Sequence, residues 1–271
     1  MKEYPVGLIS IDLDGTLLRN DKTISEENVK TLMEAQEKGI VVCINTGRMA
    51  QDAVALAHEY GLNCAVCGGN GAHIIDAQGT TLFETMIPGD VAVALCEIGR
   101  ESGLRVAVHF DGFMGLHPEN STYKPVSKMQ MPCYCGFDEV VKHARNGARK
   151  IVMGSFAYDP RLAETRQLIA ERFPQLPIAS SWAGNIEINA ENTGKDAALF
   201  KMGELFNVTP ERAMALGDAE NDLPVLRVVG YSVAMANASD EVKTICRFET
   251  KSNEESGVAY AVRRWAMGEE A

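Results

Sequence analysis

The chain has 271 residues, 46% hydrophobic and 23% charged, and carries a formal net charge of −11. This is the makeup of a globular protein with room for one large domain or two modest ones. The acidic balance argues against non-specific nucleic-acid binding, which needs surplus Lys and Arg, but not against a small anionic ligand beside a local cation.

No stretch reaches the roughly 18 apolar residues of a membrane span. The opening Met1–Ser10, with Lys2 and Glu3, is too short and too acidic for a signal peptide, so a cytoplasmic location is expected. Seven cysteines, an odd number, lie scattered through apolar runs. Buried thiols in a reducing compartment are expected rather than disulfides: Cys64 and Cys67 form a lone C-x-x-C that reads as a strand, and Cys133 and Cys135, near His143, lack a fourth ligand at zinc spacing.

Val6 to Leu13 is a short apolar run ending in acidic residues, which predicts a buried strand. A helix follows, with Ser25 as N-cap, Ile24 and Val29 as a hydrophobic staple, and Gly39 at its end. Ile40–Ile44 predicts a second strand, Ala50–Tyr60 a helix closed by Gly61, and Cys64–Cys67 a strand running into Gly68-Gly69-Asn70-Gly71. From residue 85 to 189 the rhythm changes. Helices are predicted at Asp90–Ser102, Asp138–Ala144 and Pro160–Arg172, between strands at Arg105–Phe110, Arg149–Phe156, Ile178–Ser181 and Asn185–Asn189. The first rhythm then returns: a helix at Gly194–Phe206, a strand at Ala213–Leu216, a helix at Glu220–Val228, a strand at Tyr231–Ala234 and a closing helix at Val258–Met267. Thr209 and Pro210 read as N-cap and N1 of a helix start. Strand–helix alternation with unbroken apolar strands points to an α/β fold: a Rossmann-like, doubly wound parallel-sheet core of residues 1–84 and 190–271, with an inserted α+β module at 85–189.

The residues that carry chemistry sit at the predicted strand ends, where open α/β sheets bind ligands. Asp12-Leu13-Asp14-Gly15-Thr16-Leu17 follows the first strand. Two carboxylates two residues apart face one side and repel unless a divalent cation or a division between nucleophile and proton donor justifies them; alone, the pair also fits an acidic helix cap. Asn45-Thr46-Gly47-Arg48 offers a hydroxyl and turn amides suited to a phosphoryl oxygen, or simply a capped turn. Lys195, in the first turn of a helix where the macrodipole disfavours a cation, suits a fixed positive charge beside a phosphoryl group. Asp218, Asn221 and Asp222 bunch oxygen ligands after Gly217, as a magnesium site or an acidic helix start would.

In their order and shared placement these segments resemble the haloacid dehalogenase superfamily of phosphohydrolases, in its Cof-like branch with a large α/β cap between the second and third motifs. Asp12–Leu18, Thr46-Gly47-Arg48, Lys195 and Gly217–Asp222 match its four motifs. Asn70-Gly71-Ala72, Val233–Ala238 and Ser252-Asn253 followed by Gly257-Val258-Ala259 add to the likeness. The resemblance implies a phosphatase with Asp12 as nucleophile, Asp14 as acid and base, Thr46 and Lys195 on the transferring group, and Gly47, Arg48, Asn70 and Asn221 near the substrate. It implies Mg²⁺ on Asp12, Asp218 and the backbone carbonyl of Asp14, with Asn221 and Asp222 completing or supporting the shell. Asn45 stands where that family often has Ala, and Asp196 where Gly is usual; both read as packing variants.

The implied substrate is a small phosphorylated metabolite; no nucleic-acid or membrane partner is expected, and the protein itself could be a monomer or a homodimer. The cap would read the rest of the substrate, through residues such as His109, Asp111, His117, Trp182 and Asn185. A phosphosugar mutase and a non-catalytic phospho-ligand sensor share much of this pattern.

Overall fold

In the computed structural model, residues 4–110, 112–116, 133–154, 159–180 and 184–269 are described. The expected sites Asp111, His117 and Trp182 lie outside them. The chain forms two compact units, residues 1–83 with 194–271, and residues 84–193.

The first unit is built on an eight-stranded sheet. Its strands are β1 (Leu8–Ile11), β2 (Val41–Asn45), β3 (Ala65–Gly68), β4 (His73–Ile75), β5 (Thr81–Glu84), β12 (Ala213–Gly217), β13 (Tyr231–Ala234) and β14 (Phe248–Glu249). They lie in the order β14-β13-β12-β1-β2-β3-β4-β5. From β14 to β3 every pairing is parallel, and β4 then turns back antiparallel to β3. The turn back departs from an all-parallel expectation, and it begins at the Gly-rich segment 68–71, where Asn70 adopts a left-handed φ of 54°. Strands β1, β2 and β12 are buried almost throughout, because helices cover them on both faces.

Those helices are α1 (Glu26–Glu37), α2 (Ala50–Glu59), α6 (Lys195–Phe206), α7 (Leu223–Val228), α8 (Asp240–Ile245) and α9 (Gly257–Ala261). Ser25 caps α1 as expected, its Oγ accepting from the Asn28 N–H at 3.1 Å, and Glu26 and Glu27 lie in the first turn where the macrodipole favours them. Two expected helices differ in form. Residues 220–222 make a single 3₁₀ turn before α7, because Pro224 lacks an N–H and fits only the first turn of a helix. The closing helix turns into a π-helical stretch at Val262–Ala266. Pro210 begins a single 3₁₀ turn, and the Thr209 side chain makes no capping bond there.

The second unit holds a six-stranded sheet in the order β10-β11-β9-β6-β7-β8, with β6 (Arg105–Phe110), β7 (Gly112–Leu116), β8 (Cys133–Cys135), β9 (Lys150–Gly154), β10 (Ile178–Ala179) and β11 (Asn185–Asn189). Alternation sends Val106, Val108, Ile151, Met153, Ile186 and Ile188 to one face. There they pack with Leu95, Ile98, Val140 and Ile169 of α3 (Gly89–Glu101), α4 (Phe137–Ala144) and α5 (Pro160–Arg172) into a separate core. His109, Lys150, Asn185 and Glu187 take the opposite face, where Lys150 Nζ and Glu187 Oε2 meet at 3.0 Å, nearly inaccessible to solvent. Composition and periodicity gave no sign of this buried pair.

Candidate active site

Strands β12, β1 and β2 are neighbours, and each delivers a functional residue at the first position past its carboxyl end: Asp218, Asp12 and Thr46. The ladder continues one step beyond the strands, with the Asp12 N–H donating to the Leu216 carbonyl at 3.1 Å and the Thr46 N–H to the Cys67 carbonyl at 2.8 Å. These residues are therefore placed by sheet geometry rather than by loose loops.

Lys195 opens α6 and is fully buried. Its Nζ donates to Asp12 Oδ1 at 2.5 Å and to Asp222 Oδ1 at 2.6 Å. Burial works against its charge, but Asp12 and then Asp222 outweigh it and hold Lys195 above the usual lysine range. Asp222 also accepts through Oδ2 from the N–H groups of Asp218 and Ala219, at 3.0 and 3.1 Å, so one carboxylate fastens the lysine and shapes the turn carrying Asp218.

Asp12, Asp218 and Asp222 bring one carboxylate oxygen each within 4.8 Å of one another, the only such group of metal-ligating side chains among the described residues. Burial pushes Asp12 up to about 8 although Lys195 pulls it down, and Asp222 and Asp218 add to the rise. Asp218 is pushed to about 6, by burial first and then by Asp222. Three carboxylates, those of Asp12 and Asp222 buried and that of Asp218 half-buried, thus face one lysine, and the shortfall of positive charge is what a hard divalent cation with oxygen ligands would supply. The donor set fits Mg²⁺.

Asp14 stands apart from that group. Its carboxylate is gripped by Arg48, Nε to Oδ2 at 2.6 Å and Nη2 to Oδ1 at 2.5 Å, and by Lys22 Nζ at 2.9 Å. Partial burial raises its pKa, but the hydrogen bonds and charge of Arg48, followed by those of Lys22, win and hold it below the usual carboxylate range. Replacing Arg48 with Met is therefore expected to move the limb of the kcat/KM–pH profile that reports Asp14 to higher pH. A limb that stays in place would separate Arg48 from Asp14.

Gly15 turns the chain with φ +83°, and a Cβ there would lie 2.3 Å from Asp218 Oδ2, so only glycine fits. Thr16 Oγ1 donates to Asp218 Oδ1 at 3.0 Å. Asn70 is buried, its N–H donates to the Thr46 carbonyl at 3.1 Å, and it packs so closely on Gly47 that a Cβ at 47 would come within 3.0 Å of its Oδ1. Asn221 is half-buried on the turn that carries Asp222. The sequence-predicted residues of the first unit are thus gathered at one end of its sheet.

Three contributors were given no role in the site from sequence: Lys22, Thr16, and Asn45, which read as a packing variant. The Asn45 amide Nδ2 donates to the Lys195 carbonyl at 2.9 Å and to Ser10 Oγ at 3.2 Å, so this polar departure ties β2 to the start of α6. A buried polar residue at a strand end beside Thr46 was the available signal. Cys64 and Cys67, as expected, are buried thiols; burial pushes both up to about 12, which keeps them protonated.

A family model of haloacid dehalogenase-like hydrolases matches residues 9–262. The chain is 32% identical over 268 residues to the Bacillus subtilis 5-amino-6-(5-phospho-D-ribitylamino)uracil phosphatase YcsE, covering 98% of each. It is 30% identical to a second B. subtilis enzyme of the same description, YwtE, covering 97% of this chain and 99% of that one. A solved haloacid dehalogenase-like hydrolase from Bacteroides thetaiotaomicron superposes with a TM-score of 0.82 at 27% identity, over 96% of this chain and 99% of that one.

Proposed function

The chain belongs to the haloacid dehalogenase-like hydrolases, in their Cof-like branch, and is a phosphatase of that family; from this premise we propose that it is a Mg²⁺-dependent hydrolase of a small phosphorylated metabolite acting through an aspartyl-phosphate. The observation that carries the reading is the buried contact of Lys195 with Asp12 and Asp222, closed by Asp218 within the same carboxylate group.

Asp12 attacks phosphorus. Its carboxylate oxygen forms a bond to phosphorus as the ester P–O bond breaks, and Asp14 gives a proton to the departing oxygen. A water molecule then attacks the same phosphorus, Asp14 takes its proton back, and the Asp12 carboxylate is released with inorganic phosphate. Lys195 balances charge beside Asp12, and the Thr46 hydroxyl holds a phosphoryl oxygen. Asp12, Asp218 and the Asp14 carbonyl, with Asp222 in support, would hold Mg²⁺, which would supply further positive charge against the phosphoryl oxygens. Held by Arg48, Asp14 is in its ionised form, the form the second step uses. For the first step it must take up a proton, and that requires Arg48 to loosen, as it would on turning to an anionic substrate.

Residues 85–189 would serve as the cap and select the substrate, through His109 and Asn185 as the sequence suggested and through Lys150 and Glu187 on the same sheet face. Two relatives named for 5-amino-6-(5-phospho-D-ribitylamino)uracil support placing phosphate esters of polyhydroxylated chains first in any screen.

The test is a panel of phosphorylated metabolites headed by that compound, with sugar phosphates and phosphorylated cofactors, assayed for inorganic phosphate with Mg²⁺ and with chelator. Release that requires the metal is expected. Net isomerisation of a monophosphate without phosphate release would turn the reading into a mutase, and binding without turnover into a sensor.

A further inference from the structure

We infer that Asn237 is a positioning residue for this hydrolysis, acting with Asn253 as a clasp on the loop that carries Asp12 and Asp14; the inference rests on the assignment of those two aspartates above.

Asn237 lies beyond the carboxyl end of β13, and it uses both ends of its amide. Nδ2 donates to the Gly15 carbonyl at 2.8 Å, and Oδ1 accepts from the Asn253 N–H at 3.0 Å. Asn253 is buried and continues the chain of bonds, its Nδ2 donating to the Leu18 carbonyl at 2.9 Å and to Asn20 Oδ1 at 3.4 Å. The Asn20 N–H donates in turn to Glu254 Oε1 at 2.7 Å. Residues 15, 18 and 20 are thereby fastened to residues 237, 253 and 254, more than two hundred positions away in sequence.

The position of the first of these bonds gives it a catalytic meaning. Gly15 lies between Asp14 and Thr16. On one side its Cα abuts the Asp218 carboxylate, which also receives the Thr16 hydroxyl; on the other its carbonyl is held by Asn237. A peptide unit is planar, so fixing the Gly15 oxygen fixes the plane that joins Gly15 to Thr16, and with it the exit of the turn that follows Asp14. Asn237 touches neither phosphate nor the reacting carboxylates. It anchors the far side of the turn that carries Asp14, while the β1 ladder holds Asp12 on the near side. A donor–acceptor relay of this form needs a side-chain amide, since a carboxylate cannot donate to Gly15 and a hydroxyl is too short to span both partners.

The bond is solvent-exposed, so its loss should cost little stability, whereas a small displacement of a catalytic group is costly to the rate. Asn237→Ala is expected to lower kcat about 10-fold with KM changed less than about twofold, and to move Tm by no more than about 2 °C. Asn253→Ala keeps the N–H that donates to Asn237 but opens the bonds to Leu18 and Asn20; it should lower kcat in the same way, and the double variant should be no slower than the worse single one, because both release the same loop. Asn237→Asp keeps the shape and the acceptor but loses the donor to Gly15. It should reproduce the kcat loss, and it covers the case in which the alanine variant does not fold. An unchanged kcat with a lowered Tm, a rise in KM alone, or fully additive losses would each overturn the inference. Wild-type turnover measured alongside reports the underlying reading separately, and a wild type without turnover would remove both.

Discussion

Asp12→Asn is expected to abolish phosphate release, by on the order of 10⁴-fold or more, because an amide oxygen cannot take the place of the attacking carboxylate. The same change should leave the fold at least as stable as wild type in metal-free buffer. Burial pushes Asp12 up to about 8, so its charged form is disfavoured in the folded state. A carboxyl group raised in this way contributes its stability below its unfolded pKa near 4 and loses it as pH rises through the folded value. A neutral, isosteric Asn escapes that loss, so the variant's Tm relative to wild type should improve from pH 5 to pH 8. The chemical half of the prediction is read by mass. Wild type quenched in acid during turnover should carry a phosphoryl group on the peptide containing Asp12, and the Asn variant none. A variant that is dead but markedly less stable, or a wild type that traps phosphate on another residue, would remove Asp12 from the role.

Lys195→Met should be damaging in a different way. The lysine is almost wholly inaccessible, in contact with two buried carboxylates, and removing one partner of such a group costs about 3–5 kcal/mol because the remaining charges stay buried. That corresponds to a fall in Tm of roughly 10 °C for a chain of this size. Loss of Lys195 removes the chief influence lowering the Asp12 pKa, so Asp12 rises above about 8. The deficit should therefore be largest at pH 8 and above and shrink toward pH 5 as the carboxyl group takes up its proton. A divalent cation should recover part of the loss, since it replaces the missing positive charge among Asp12, Asp218 and Asp222. Thermal melts of the variant across this pH range, with and without Mg²⁺, check all three statements. A deficit independent of both pH and metal would mean that Lys195 matters here only as a packed side chain.

These two residues also mark what the sequence could and could not convey. Asp12 was legible because an apolar run ends on it and strand alternation places Asp14 on the same side. Lys195 was legible because a cation in the first turn of a helix has no local electrostatic reason to be there. The strands were legible where both faces are buried, since β1, β2, β12 and β13 read as apolar runs interrupted at most by one small polar residue. Short or partly exposed strands were not: β5 carries three exposed residues of four, and β14 is two residues long. Within the site, the residues that escaped notice act through geometry alone. Nothing in the spacing of Lys22, Asn45 or Thr16 announces the grip on Asp14, the tie to the Lys195 carbonyl or the bond to Asp218. Asp14 itself was assigned two duties, and the structure separates its carboxylate, held by Arg48, from the three that gather beside Lys195.

The parallel pairing of β1 with β12, Leu8 beside Ala213 and Ile11 beside Leu216, has a consequence for how the protein is made. During synthesis β1 leaves the ribosome about two hundred residues before its partner, so the nascent chain must hold a bare apolar strand edge until nearly four fifths of these 271 residues have emerged. Residues 84–193, which pack around their own core, complete a full set of local pairings in that interval. Such a chain should mature late and all at once. Translation stopped anywhere before residue 213 should yield an aggregation-prone product with no trace of turnover, whereas the inserted stretch, expressed alone, should fold.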